Sequence, residues 1–204
     1  RGKPPRLCDG CPHRATFTVL AKLNCIVAGD IGCYTLSVLP PFQSTDTCVC
    51  MGASIGVGLG LRHTLPPEEA KRVVSVIGDS TFIHSGIPGV TEMVYNPPST
   101  GHVIVVLDNR TTAMTGMQEH PGTGRTLDHK PTNQVKIEDV AKAIGVENVV
   151  VTERVSDFQK EILPALENGK TNLIVMRKTC ALAKKKIEKL EEKQLEGEIC
   201  DAKS

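Results

Sequence analysis

Two apolar runs, Val73-Val74-Ser75-Val76-Ile77-Gly78-Asp79-Ser80 and Val103-Ile104-Val105-Val106-Leu107-Asp108-Asn109-Arg110-Thr111, decide the fold. Each is short enough for a buried strand, and each ends in an oxygen-bearing side chain. Asp79 and Asn109 stand thirty positions apart, about the length of one strand–helix–strand crossover unit. Such a crossover makes the two strands parallel, so both side chains emerge at the same carboxyl edge of the sheet. Two hard oxygen ligands at that edge suit an octahedral cation that also holds a phosphate. Magnesium with a diphosphate is the natural reading.

Outward from this pair the chain alternates strand and helix. A helix is expected from about Pro12 to Leu20 or Leu23, a short buried strand over Asn24–Ala28, and an irregular stretch from Tyr34 to Asp46 around Pro40-Pro41. The segment Met51–Gly60 repeats Gly and Ala at helical spacing, which leaves one helix face without bulk. Interior helical glycine costs roughly 1 kcal/mol relative to alanine, so either close packing or a ligand at the helix start must compensate. A helix near 87–95, a long loop from 108 to about 134, a helix near 137–144, a strand near 148–152, a helix near 156–167 and a strand near 172–177 follow. Apolar strands alternating with helices predict an α/β fold: a three-layer α/β/α arrangement with a mostly parallel sheet covered on both faces. The long Thr-, Gly-, His- and Pro-rich loop is expected to be functional.

At 204 residues the chain is long enough for one substantial core, and with 3% aromatic content that core must be aliphatic. A net charge of +1 argues against a nucleic-acid binder, and no apolar run reaches the roughly 20 residues of a membrane helix. The start at Arg1, without Met or signal peptide, reads as part of a longer polypeptide. Eight cysteines without an export signal point to a reducing, cytoplasmic setting. Residues 1–182 are expected to form the domain, and residues 183–204 a charged helical tail or linker outside the core.

Gly78-Asp79, Asp108-Asn109 and the loop Thr111-Thr112-Ala113-Met114-Thr115-Gly116-Met117-Gln118 together resemble the thiamine-diphosphate-binding fold. That family's motif begins Gly-Asp-Gly and ends in Asn-Asn; here Ser80 and Asp108 depart from it without removing a metal ligand. Leu7-Cys8-Asp9-Gly10-Cys11-Pro12-His13-Arg14, Gly29-Asp30-Ile31-Gly32-Cys33-Tyr34 and Asp46-Thr47-Cys48-Val49-Cys50-Met51-Gly52-Ala53 look like the indolepyruvate ferredoxin oxidoreductases. The resemblance covers about residues 6–182. It implies that Asp79, the side chain of Asn109 and the carbonyl of Thr111 bind Mg²⁺. Gly78 and Ser80 would offer N–H groups or a hydroxyl to the phosphates. Cys33, Tyr34, Met51, Gly52, Ala53, Met114 and Thr115 would lie beside the cofactor. It also implies oxidative decarboxylation of a 2-oxoacid to an acyl-CoA, with coenzyme A and ferredoxin as partners. The activating glutamate belongs to a pyrimidine-binding domain of the same subunit, and a second subunit and a dimer are expected. By itself the chain should bind thiamine diphosphate weakly and turn nothing over.

Cys8-x-x-Cys11 suits zinc, an iron–sulfur cluster or redox dithiol chemistry alike. The resemblance implies a [4Fe–4S] cluster on Cys8, Cys11, Cys33 and, less closely matched, Cys180. Cys25 reads as a small core residue. Cys48 and Cys50 read as alternating on a strand, and Cys200 as a free thiol that would be the first ligand of a following ferredoxin-like module. His84, one turn past the metal motif, is a candidate to face substrate or else a structural helix-start residue. His13 would tune a cluster or lie on the surface, and His120 and His129, in the long loop, are within reach of the active site but have no role assigned. His63 and His102 read as surface residues, and Arg14 and Arg125 as possible phosphate or carboxylate binders. Two other readings compete: a non-oxidative thiamine-diphosphate decarboxylase or synthase, which needs no cysteine set, and a non-catalytic zinc-binding interaction module.

Overall fold

In the computed structural model of the protein, residues 5–190 and residue 192 are described. Chain order runs α1 (His13–Lys22), β1 (Ile26–Gly29), β2 (Thr47–Cys48), α2 (Ala53–Thr64), α3 (Pro67–Ala70), β3 (Val73–Gly78), α4 (Asp79–Thr81), α5 (Ile87–Tyr95), β4 (His102–Asp108), α6 (Ile137–Ile144), β5 (Asn148–Thr152), α7 (Val155–Glu167) and β6 (Thr171–Arg177). The six strands form one sheet in the order β2-β1-β3-β4-β6-β5, with every pairing parallel. The mostly parallel sheet expected from the alternation is therefore wholly parallel.

Strand periodicity sorts the core into two layers. Val74 and Val76 of β3 and Val103, Val105 and Leu107 of β4 meet Phe17 and Leu20 of α1 and Phe158 and Ile162 of α7 on one face. Ile77, Ile104 and Val106 point the other way, into Ile55, Phe82, Met93 and Ile137. Alternate side chains of one strand thus serve opposite layers, which is why the central strands are apolar throughout. Edge strand β5 is only half-buried over Asn148–Val150.

Parallel register sends every strand to the same carboxyl edge, and the candidate residues gather there. Asp79 is the first residue after β3, Asn109 the first after β4, and Cys33 and Cys180 follow β1 and β6. After β6 the chain stays paired with the end of β4: the Lys178 and Cys180 amides donate to the Asp108 and Asn109 carbonyls. The helix after β3 runs straight from Asp79, through a π-helical turn over Phe82–Gly86, into α5.

Several expectations are corrected. The stretch after Cys33 is not wholly irregular, since Cys33–Val38 forms a 3₁₀ helix. β2 ends at Cys48, so Cys50 is not on the strand and the two thiols do not alternate across it. His102 is not on the surface but fully buried at the start of β4. The charged tail is not wholly outside the core, because Ala183 and Ile187 are buried. Cys200 lies outside the described residues. The glycines of α2 divide by need. Gly52 sits at φ +85° with a Cβ position 2.6 Å from Ser85 Oγ, and a Cβ on Gly58 would run into Ser75 Oγ. Gly56 and Gly60 face open space. The start of α2 is held by a protein carboxylate: buried Asp30 accepts from the Gly52 amide through Oδ1 and from the Ser54 amide through Oδ2.

Candidate active site

Asp79 is buried, 3% exposed, and its two oxygens are used differently. Oδ2 accepts from the amides of Asn109 at 3.1 Å and Arg110 at 2.8 Å, while Oδ1 accepts from the Ser80 amide at 2.8 Å. The turn after β4 delivers those amides by placing Arg110 at φ +62°, a left-handed conformation that costs a non-glycine residue roughly 1–3 kcal/mol. The two hydrogen bonds to Asp79 offset that cost and hold the turn around the carboxylate. Asn109 accepts the Thr111 amide on Oδ1 at 3.1 Å. Its Nδ2 lies 3.4 Å from His13 Nε2. Burial pushes the His13 imidazole down to about 4 against the pull of Asp79, so at neutral pH it is uncharged and accepts from the Asn109 amide.

Asp79, Asn109 and Thr111 line one cavity together with Cys33, Tyr34, Met51, Gly78, Ser80, Met114 and Thr115. Oδ1 of Asp79 and Oδ1 of Asn109 each carry one hydrogen bond from the backbone and retain a free lone pair for a hard cation. Among the described residues, no three His, Cys, Asp or Glu side chains converge on a common point. A cation here would accordingly draw on amide and carbonyl oxygens beside the one carboxylate. Two amides expected to reach phosphates are already engaged. Gly78 N–H donates to Tyr34 Oη at 3.0 Å, and Ser80 N–H to Asp79. What Ser80 retains for a ligand is its hydroxyl. Tyr34 packs edge-on to His13 with ring centroids 6.3 Å apart and donates to the Ile31 carbonyl.

A second cavity adjoins the first and shares Cys33, Asn109 and Ala113 with it. Its walls include Cys8, Cys11, Cys33, Cys180 and His13. Burial raises the Cys11 and Cys33 thiols, and proximity to the other cysteines of this set raises them further, with Cys180 and Cys8 acting on both. The four thiols surround one space without three of them closing on a single ion. Cys48 and Cys50 are exposed, and Cys25 is half-buried with its thiol pushed up to about 11 by burial.

The long loop contributes residues that spacing did not single out. His120 is buried, with Nδ1 accepting the Gly122 amide at 3.2 Å and Nε2 lying 3.3 Å from Asp79 Oδ2. Beside it, buried Arg125 donates to Glu119 at 3.0 Å and His129 approaches the same oxygen at 2.9 Å. Burial would raise the Glu119 carboxyl, but hydrogen bonds from Thr123, Arg125 and His129 prevail and hold it below its usual range. Arg125 thus pairs with Glu119 through Nε, while its buried Nη2 has no hydrogen-bond partner among the described residues. Arg14 likewise spends itself on the Leu7 carbonyl and the face of Phe42. His84 is exposed within the π-helical turn and does not line either cavity. Gly122 packs against the His120 ring, where a Cβ would stand 2.9 Å from Cε1.

Asp108 follows a separate course. It accepts from Arg177 Nε at 2.7 Å, and Arg177 also forms a two-pronged pair with Glu138. Burial and the nearby Asp79 raise the Asp108 carboxyl, while Arg177 opposes them. Asp108 thus ties β4 to β6 and α6, and does not line the cavity that Asn109 lines.

Comparison with known proteins agrees with this arrangement. The family described as "Thiamine pyrophosphate enzyme, C-terminal TPP binding domain" matches residues 30–176. The chain is 45% identical to Indolepyruvate oxidoreductase subunit IorA of Thermococcus kodakarensis, over 89% of this chain and 30% of that protein. It is 37% identical to the protein of the same name from Methanothermobacter thermautotrophicus, over 98% of this chain and 33% of that one. The chain thus spans about a third of the length of these relatives. Its fold superimposes with a TM-score of 0.67 on a 2-oxoglutarate:ferredoxin oxidoreductase from Magnetococcus marinus, at 16% identity, over 88% of this chain and 66% of that one.

Proposed function

The chain belongs to the thiamine pyrophosphate enzymes, as a C-terminal TPP-binding domain, and from that premise we propose that it holds the diphosphate end of thiamine diphosphate in an indolepyruvate ferredoxin oxidoreductase. The observation that carries this reading is the Asp79–Asn109–Thr111 set, fixed by backbone amides with carboxylate and amide lone pairs left over at one cavity. Those residues would hold Mg²⁺ through the Asp79 and Asn109 side chains and the Thr111 carbonyl, with diphosphate oxygens and water completing the octahedron. When bound, thiamine diphosphate supplies a carbanion that adds to the keto carbon of a 2-oxoacid and an electron sink for the loss of CO₂. The chain's own part is to anchor and orient: Asp79 would neutralise cation charge, His13 and the Thr111 amide hold the Asn109 side chain, and Met51, Met114 and Tyr34 line the cavity that would take the diphosphate.

The oxidative reading is supported by the second cavity. Cys8, Cys11, Cys33 and Cys180 surround a space beside Asn109, as a cluster that takes its thiolates at the corners of a cage would require. We assign them to a [4Fe–4S] cluster that passes electrons towards ferredoxin, with coenzyme A receiving the acyl group. A non-oxidative decarboxylase would have no use for this set, and a zinc interaction module would have none for Asp79 and Asn109. The pyrimidine-side glutamate is assigned to another domain or subunit, with a dimer as the working assembly. The setting is a reducing, cytoplasmic one; among the described residues no helix is long and apolar enough to cross a membrane.

The test is anaerobic assay of the full-length protein with its partner subunit on indolepyruvate, coenzyme A and ferredoxin. The expected result is thiamine-dependent ferredoxin reduction, lost in Cys33→Ser together with iron and sulfide. Undiminished ferredoxin reduction in Cys33→Ser would overturn the cluster assignment, and aldehyde formation without ferredoxin reduction would favour the non-oxidative alternative.

A further inference from the structure

The long loop between β4 and α6 places one buried imidazole against the carboxylate at the heart of the site, and its geometry fixes which nitrogen carries the proton. Nδ1 of His120 accepts the Gly122 amide at 3.2 Å, so the ring's remaining proton lies on Nε2 when the ring is neutral. Nε2 lies 3.3 Å from Asp79 Oδ2 and has no hydrogen-bond partner of good geometry within the described residues. A buried donor left unmatched costs about 1–3 kcal/mol, so a fold that retains one here needs a reason for it.

The surroundings are built around that ring. Gly122 carries no Cβ, and one would stand 2.9 Å from His120 Cε1 and 3.2 Å from Nδ1. The His120 carbonyl accepts the Thr123 hydroxyl at 2.9 Å, and the neighbouring Glu119 is pinned by Arg125 and His129. Ring position and ring orientation are thus both set by the loop rather than by Asp79. On the other side, Asp79 Oδ2 already accepts two backbone amides and Oδ1 only one. Those two amides fill the lone pairs of Oδ2 and leave Oδ1 as the oxygen with an open one, so His120 Nε2 lies 3.3 Å from Oδ2 as a charge–dipole contact and not as a formed hydrogen bond.

We propose that His120 is a positioning residue: its Nε2–H, packed against Asp79 Oδ2, favours the carboxylate orientation that leaves Oδ1 open at the cavity, where it would bind magnesium. The inference rests on the magnesium–diphosphate reading above and adds to it a residue outside the Gly-Asp and Asn motifs. His120 acts on the metal ligand and not on substrate. Its loss should therefore weaken the metal dependence of cofactor binding while sparing cofactor affinity once metal is saturating. Outer partners of metal ligands are typically worth about 10–100-fold in metal affinity.

The experiment is titration of thiamine diphosphate binding with Mg²⁺ in the full-length protein, comparing wild type with Asp79→Ala, His120→Ala, His120→Gln and Gly122→Ala. Glutamine places an amide N–H where Nε2 stands, so His120→Gln should stay within about threefold of wild type. His120→Ala should raise the half-saturating Mg²⁺ concentration by about tenfold or more. Gly122→Ala, which displaces the ring without removing it, should raise it by a smaller factor and serves if His120→Ala does not fold. Equal shifts in His120→Ala and His120→Gln, or no shift in either, would overturn the inference, as would an unshifted midpoint in Gly122→Ala when His120→Ala does not fold. Retained Mg²⁺ dependence in Asp79→Ala would instead sink the magnesium reading itself.

Discussion

The two ends of the sheet both bury polar side chains, yet they do opposite things with them. At the amino end, buried Arg62 donates five hydrogen bonds to the carbonyls of Lys71, Val73, Thr100 and Gly101, clamping the starts of β3 and β4. Ser75 joins the Ser54 carbonyl to His102 Nε2, and Asn172 bonds to the backbone around the start of β6. At the carboxyl end, Asp79 and Asn109 are held as firmly but keep lone pairs directed at a cavity. The difference teaches that burial of a polar group does not mark a site. A site is marked by valence left open beside a space.

The comparison breaks if amino-end substitutions impair cofactor binding before they impair stability. The largest effect is expected for Arg62→Ala, which would strip buried carbonyls of their donors at a cost of about 3–5 kcal/mol in chemical denaturation. Its folded fraction should still bind thiamine diphosphate normally.

Next comes acid. Burial, with Arg62 and His63 adding to it, pushes His102 from 6.5 down to about 3. The unfolded chain therefore binds a proton that the folded chain refuses. Stability from this group is complete above about pH 6.5 and is lost as pH falls towards 3. By pH 4.5 the loss is roughly 2–3 kcal/mol. Denaturation at pH 7 and 4.5 should show a flatter dependence in His102→Gln than in wild type, even if the variant is less stable at pH 7.

The smallest effects divide a single helix. Gly58→Ala drives a Cβ into Ser75 Oγ and should destabilise by about 1–2 kcal/mol. Gly56→Ala meets open space and should stabilise by about 0.5–1 kcal/mol through helix propensity. Equal effects at the two positions would mean that α2 does not seat on β3 and β4 through Gly58.

Much of this was legible in the chain itself. Periodicity gave the strands and their parallel sense, because fully apolar runs separated by helices leave little alternative. The Asp79–Asn109 pairing followed from crossover length, and the four thiols did gather at one cavity. What escaped was set by tertiary contact. His102 looks like any polar residue opening a strand, and only the tertiary packing of Gly58 and Ser75 against its ring encloses it. His120 sits in a loop without period, where spacing carries no information about which side chain turns inward. The resemblance offers N–H groups or a hydroxyl of Gly78 and Ser80 to the phosphates; in the structure Tyr34 and Asp79 accept from the two amides, and the Ser80 hydroxyl stays available.

The central claim is that Asp79, with Asn109, is the metal clamp and not another structural carboxylate. Mg²⁺-dependent thiamine diphosphate binding in wild type and Asp79→Ala, alongside the melting temperature of each without ligand, tests it most directly. The account predicts saturable Mg²⁺ dependence in wild type and a loss on the order of 100-fold in Asp79→Ala, about 2.7 kcal/mol, with the ligand-free melting temperature within a few degrees. Unchanged binding in Asp79→Ala, or a loss that merely tracks unfolding, would contradict it.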